Sequence, residues 1–211
     1  MRWWLLAALC LAQMAVMVDN TILNVALPSI ARSLDTGTAG VQGAVLGYSL
    51  AQAALLLTAG SVADAVGHRR MLIGGLLLFG AGSVAASFAP TVALLIAARV
   101  VMGCGGACLM TSTLAVITLT FDDASRLRAI GLWAATGSAA FMAGPLLGGA
   151  LLRTWWWGAV FLVNVPVVVA ALGAILLLVP RAELKHVAID WRAPAQWAAA
   201  ITAFGFSVSA R

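Results

Sequence analysis

The sequence predicts an all-α fold, a polytopic membrane helix bundle of six spans with the start of a seventh. Three observations carry this. Of 211 residues, 63% are hydrophobic and only 9% are charged, where a soluble domain averages about 25% charged. The mean hydropathy is +1.05. The apolar residues fall into runs long enough to cross a bilayer, for which about 20 residues are needed. No soluble core could absorb so many such runs.

The first span is read from Trp3 to Ala31. Arg2 followed by Trp3-Trp4-Leu5-Leu6 looks like the start of a signal peptide, but the apolar stretch runs past the length of an h-region, so it reads as an uncleaved span. Asp19 sits near its middle, with Asn20, Thr21 and Asn24 beside it. A charge at that depth costs roughly 2.5–3.5 kcal/mol on insertion scales, so the residue faces a polar cavity or a partner. Asn20 and Asn24, four apart, share a helix face. The plainer reading is a structural hydrogen bond between helices.

A polar loop, Arg32 to Gly40, leads to the second span, Val41 to Ala63, which carries Gly43 and Gly47 at small-xxx-small spacing. Asp64 to Arg70 is a charged turn. The third span, Met71 to Phe88, ends at Ala89-Pro90-Thr91, with proline as the breaker. The fourth, Val92 to Leu119, holds Arg99 in its interior. Thr120 to Arg128 is a charged loop before the glycine-rich fifth span, Ala129 to Leu152. Trp155, Trp156 and Trp157 mark a membrane interface. The sixth span is read from Ala159 to Val179. The expected organisation is a six-helix bundle over 1–179, a cytoplasmic loop over 180–193 and a truncated seventh span over 194–211.

Orientation follows from Lys and Arg. With the N-terminus inside, Arg2, Arg69, Arg70, Arg126, Arg128, Arg181, Lys185 and Arg192 are cytoplasmic, and only Arg32 and Arg153 are outside. The net charge of +5 therefore serves topology, and no basic stripe suggests nucleic acid. Cys10, Cys104 and Cys108 lie inside apolar runs and read as packing residues, so no metal or cofactor is expected. The sequence holds no H-E-x-x-H, nucleophile elbow or phosphate loop, and His68 and His186 stand in loops without companions, so an enzyme is not expected.

Two buried charges stand out. Arg99 is the basic residue inside the complete spans and Asp19 the acidic one; neither is tolerable alone at low dielectric, so each is the other's expected partner. Burial penalises the Asp19 charge and an arginine favours it, a balance suited to taking up and releasing a proton.

Several motifs then resemble a known family. Gly60-Ser61-Val62-Ala63-Asp64-Ala65-Val66-Gly67-His68-Arg69-Arg70 resembles the G-x-x-x-D-R-x-G-R-R loop of the major facilitator superfamily, with Ala65 and His68 where basic residues are usual. Physically, the glycines permit a sharp turn, and Arg69 and Arg70 can reach carbonyls at helix C-termini. Arg99 through Gly105 is similar to R-x-x-Q-G-x-G, with Met102 in place of Gln. Gly131, Ala140, Gly144, Pro145, Gly148 and Gly149 resemble the antiporter motif of drug exporters, G-x8-G-x3-G-P-x2-G-G. Gly144 and Gly148 form a smooth face, and Pro145 removes one N–H and is expected to bend the helix. Asp19 to Pro28 and Phe161 to Pro166 are similar to signatures of the exporter branch with about fourteen spans, and Asp190-Trp191-Arg192 to its lead-in to the seventh.

The resemblance covers nearly the whole chain. It implies proton-coupled antiport of small molecules, multidrug-type, in the cell membrane, by alternating access. Asp19 and Arg99 would couple protons; Asn20, Asn24 and Tyr48 would line the cavity; Gly60, Asp64, Gly67, Arg69 and Arg70 would form a gating loop. The partners implied are a small-molecule substrate, protons, the bilayer and a C-terminal half that this chain lacks. Gly144 and Gly148 are expected to meet a helix of that other half in a complete protein, or bare lipid in this fragment. The alternative is a truncated, non-transporting fragment of such an exporter. Substrate identity is not legible, and Tyr48 and Trp133 read equally as cavity or lipid-facing aromatics.

Overall fold

The computed structural model describes residues 2–179. The regions read as the cytoplasmic loop and seventh span lie outside the described residues. The described chain is α1 (Arg2–Ser33), α2 (Thr38–Val66), α3 (His68–Ser87), α4 (Val92–Thr120), α5 (Asp123–Thr154), α6 (Ala159–Leu162) and α7 (Asn164–Leu178). Among the described residues, six helical stretches are long and apolar enough to span a membrane, α6 and α7 together making the sixth.

Local chemistry sets the boundaries. Gly67, at φ 96°, closes α2 and opens α3, a conformation that side chains with a Cβ rarely adopt. The Thr91 hydroxyl accepts the Leu94 N–H at 3.3 Å and caps α4. Asp122 caps α5, accepting the Ser125 N–H at 3.1 Å. This cap starts the fifth span in what reads from sequence as a charged loop; Asp123 pairs with Arg126 at 2.9 Å on its first turn. The sixth span is broken at Val163. Pro166 cannot donate to the carbonyl four residues back and crowds it, which accounts for the interruption. Pro145, by contrast, lies within an unbroken α5.

α1 runs along α5 and α7, while α4 runs along α2 and α3; α1 against α4 and α3 against α7 join the two groups. α1 is the central element, with Leu9, Ala12, Val16, Ile22, Ala26 and Ile30 fully buried. The outward surface carries exposed Leu77, Leu119, Leu127, Leu146 and Leu177. Such a surface suits hydrocarbon, since backbone polar groups along a helix bond to one another.

Small residues decide how closely α1 and α5 approach. A Cβ at Gly144 would run into the Thr21 side chain and lie 3.0 Å from the Val18 carbonyl; one at Gly148 would lie 2.9 Å from Ile22 Cγ1. Across this seam the Thr21 hydroxyl donates to the Phe141 carbonyl at 2.9 Å. The expectation that this glycine face meets the other half, or bare lipid, is therefore corrected. It meets α1 of the same bundle, because α1 is the helix whose backbone comes near enough to need it.

Candidate functional site

Arg99 Nη1 donates to Asp19 Oδ2 in a buried ion pair between α4 and α1. Asp19 has 0% and Arg99 2% exposure, so both charges are out of reach of water. Removing two charges from water is expensive, and the attraction offsets it only when the remaining polar atoms are also satisfied. Here they are held from several sides. Asn164 Nδ2 donates to the second carboxylate oxygen, Oδ1, at 3.1 Å. Arg99 Nε donates to the Ala44 carbonyl at 3.4 Å. The guanidinium lies 4.1 Å from the Tyr48 ring centroid and 5.8 Å from that of Phe161, a position aromatic faces favour for a cation. Asn164 also lies 3.4 Å from the Ser83 hydroxyl on α3. Six helices, α1, α2, α3, α4, α6 and α7, thus contribute a group to one charged centre.

Asn164 is the participant that sequence reasoning passed over. It appears only within the Phe161–Pro166 stretch. Its signal was a lone amide inside an apolar span, the same kind of anomaly that marks Asp19.

The three expected cavity residues separate. Asn24 is exposed and Asn20 half-buried, the latter donating to the Val16 carbonyl at 2.9 Å. Tyr48 has 0% exposure and covers Arg99, so it belongs to the packing of the ion pair and lines no opening here. The expected gating loop also spreads out. Asp64 is exposed, 3.4 Å from His68 Nε2. Arg69 Nη2 donates to the Leu176 carbonyl at 2.9 Å, linking the start of α3 to the end of the sixth span; orphaned carbonyls at a helix C-terminus favour such a cation. Arg70 is exposed, and a Cβ at Gly60 would meet nothing within 4 Å. Of the glycine motif on α5, Gly144 and Gly148 touch α1, whereas Gly131 and Gly149 face open space. Pro145 is exposed.

The charged end of the bundle is organised too. The Ser125 hydroxyl and N–H both donate to the Asp122 carboxylate and hold it below the ordinary carboxylate range. Arg2 lies 3.6 Å from Asp122, and Trp3 meets Phe121 edge-on at 5.4 Å.

Residues 9–209 match the family model described as Major Facilitator Superfamily. The chain is 39% identical over 181 residues to the methyl viologen resistance protein SmvA of Salmonella typhimurium, covering 85% of this chain and 37% of that protein. It is 44% identical over 180 residues to the multidrug efflux pump LfrA of Mycolicibacterium smegmatis, covering 85% and 35%. To the tetracenomycin C resistance and export protein of Streptomyces glaucescens it is 38% identical over 190 residues, covering 89% and 35%. The chain thus spans little more than a third of the length of these relatives. The fold is similar to a solved structure of the peptide transporter POT in complex with sulfate, with TM-score 0.74, 18% identity, and coverage of 99% of this chain and 44% of that one. At that identity the likeness speaks for the fold alone.

Proposed function

The chain belongs to the major facilitator superfamily, and from that premise we propose that it forms the N-terminal bundle of a proton-coupled exporter of small molecules. The observation that carries this reading is the sealed Asp19–Arg99 pair with Asn164 on its free oxygen. A carboxylate with no exposure cannot exchange a proton until the helices around it move. Parting α1 from α4 would expose Asp19 to water. A proton arriving there removes the charge that holds Arg99, while Arg99 keeps the Ala44 carbonyl and the Tyr48 face. One proton would then exchange one electrostatic partner for another and bias the bundle between two arrangements, which is what alternating access requires.

Inward proton movement supplies about 2.3 kcal/mol per charge per 100 mV, available to drive a substrate outward. Relatives named for multidrug efflux and methyl viologen resistance support drug-like small molecules as the cargo. The positive-inside pattern supports a cytoplasmic N-terminus in the cell membrane. The path would need a second bundle facing this one.

The test is transport by the complete protein reconstituted in liposomes, with methyl viologen as the cargo probe. A pH difference alone should drive uphill accumulation, and a protonophore should abolish it. Uphill movement unaffected by the protonophore and by the sign of the pH difference would rule out proton coupling.

A further inference from the structure

Cys104 and Cys108 stand four residues apart on α4, and none of the groups described above uses them. We infer that the two thiols together form a reversible covalent site for a hydrophobic trivalent arsenical, an arylarsenous acid whose arsenic both sulfurs hold at once. The inference stands on α4 and α3 alone and does not rest on the exporter reading.

Spacing comes first. α4 is an unbroken helix from Val92 to Thr120, so residues 104 and 108 share a face, with Cβ atoms about 5–6 Å apart. A disulfide needs its Cβ atoms about 3.5–4.5 Å apart. The pair is too wide to close on itself without deforming the helix, and both cysteines are free. A third atom bonded to both sulfurs lengthens the link and fits that gap.

Access and room come next. Both cysteines are half-buried, so the pair is packed yet reachable. Cys10 on α1 is buried and has no second cysteine within a turn. Gly105, between the two thiols, seats α4 closely on α3. A Cβ there would lie 2.7 Å from both the Gly75 carbonyl oxygen and the Phe79 nitrogen. That approach fixes the turn carrying the pair. Beside Cys108, α3 presents Gly75, where a Cβ would lie 3.0 Å from the Cys108 Cβ. The adjoining Gly74 faces open space. An aryl group on the arsenic therefore meets no side chain at those two positions.

Charge decides the class of ligand. A metal cation needs ionised thiols and, for zinc, four ligands. Among the described residues no three His, Cys, Asp or Glu side chains come together. A cation with two thiolates would also bring charges into an apolar span, which is costly. A trivalent arsenical needs neither. When an arylarsenous acid meets the two thiols, two S–H and two As–O bonds break and two As–S bonds form. Each proton leaves with a hydroxyl group, giving two water molecules. Arsenic stays trivalent, nothing is oxidised, and the adduct is neutral. The bridge clamps the turn of α4 that begins five residues after Arg99.

The experiment treats the complete protein in detergent with phenylarsine oxide, which hydrates to the arylarsenous acid, and reads the adduct by mass spectrometry. The tryptic peptide over residues 100–126 holds both cysteines and no third. It should gain one phenylarsenic group, which 2,3-dimercaptopropanol removes and 2-mercaptoethanol at the same thiol concentration does not. Cys104→Ser and Cys108→Ser should each raise the half-saturating concentration for this peptide about a hundredfold, since bridging makes the second bond intramolecular. Cys10→Ser should leave it unchanged. Circular dichroism spectra matching the parent establish that the serine variants are folded. No adduct on the peptide in the parent protein would overturn the inference. So would undiminished labelling in either folded serine variant, or equal removal by the monothiol, which would mean attachment through a single sulfur.

Discussion

The side-chain amide of Asn164 donates to Asp19 Oδ1 at 3.1 Å, tying the sixth span to the buried ion pair through the carboxylate oxygen other than the one Arg99 holds. Asn164→Leu keeps the volume but removes the donor. A buried carboxylate oxygen is then left unmet, and stability should fall by about 1–3 kcal/mol. Thermal unfolding of the complete protein in detergent measures this. The same variant should also lose pH-driven transport more than it loses substrate binding. An unchanged melting temperature would mean that the contact is incidental.

The glycines of α5 are not equivalent. Gly144→Ala forces a methyl group into Thr21 and disturbs the Thr21–Phe141 hydrogen bond, so it should destabilise by about 1–3 kcal/mol. Gly149→Ala meets nothing within 4 Å and should be neutral or gain a few tenths of a kcal/mol from helix propensity. Paired unfolding measurements on the two variants check this, and equal effects would contradict the packing described for α1 and α5.

Much of this was legible in the sequence because the bilayer constrains so strongly. Apolar length marked all six spans, and two opposite charges stranded at similar depth pointed to each other before any geometry was known. Other features depended on the third dimension. The start of α5 was hidden because a charged turn and a capped helix start have similar composition, and only the Asp122 cap separates them. The partner of Gly144 and Gly148 was not legible, since a smooth face states that something approaches and not what. Asn164 was overlooked because one amide in an apolar run is inexpensive alone and acquires meaning from the carboxylate opposite.

Arg69 and Arg70 are neighbours with different duties. Arg69→Gln removes the donor to the Leu176 carbonyl and should cost about 1 kcal/mol. Arg70→Gln, at an exposed site, should stay within about 0.5 kcal/mol of the parent. Unfolding midpoints of the two variants compare them directly. A larger effect at Arg70 would reverse the assignment.

Orientation is open to chemical labelling. Single cysteines at Gly67 and Ser125 should be shielded from a membrane-impermeant maleimide in intact cells, and one at Gly37 should react. External labelling at Ser125 would invert the proposed topology.

The central claim is that Asp19 carries the coupling proton. The measurement that addresses it most directly is pH-driven uphill transport of methyl viologen by the Asp19→Asn variant of the complete protein in liposomes, alongside downhill exchange in the same preparation. Uphill transport should disappear while some downhill exchange persists, since asparagine keeps the shape of the site but cannot release a proton. Uphill transport at the parental rate would contradict the claim.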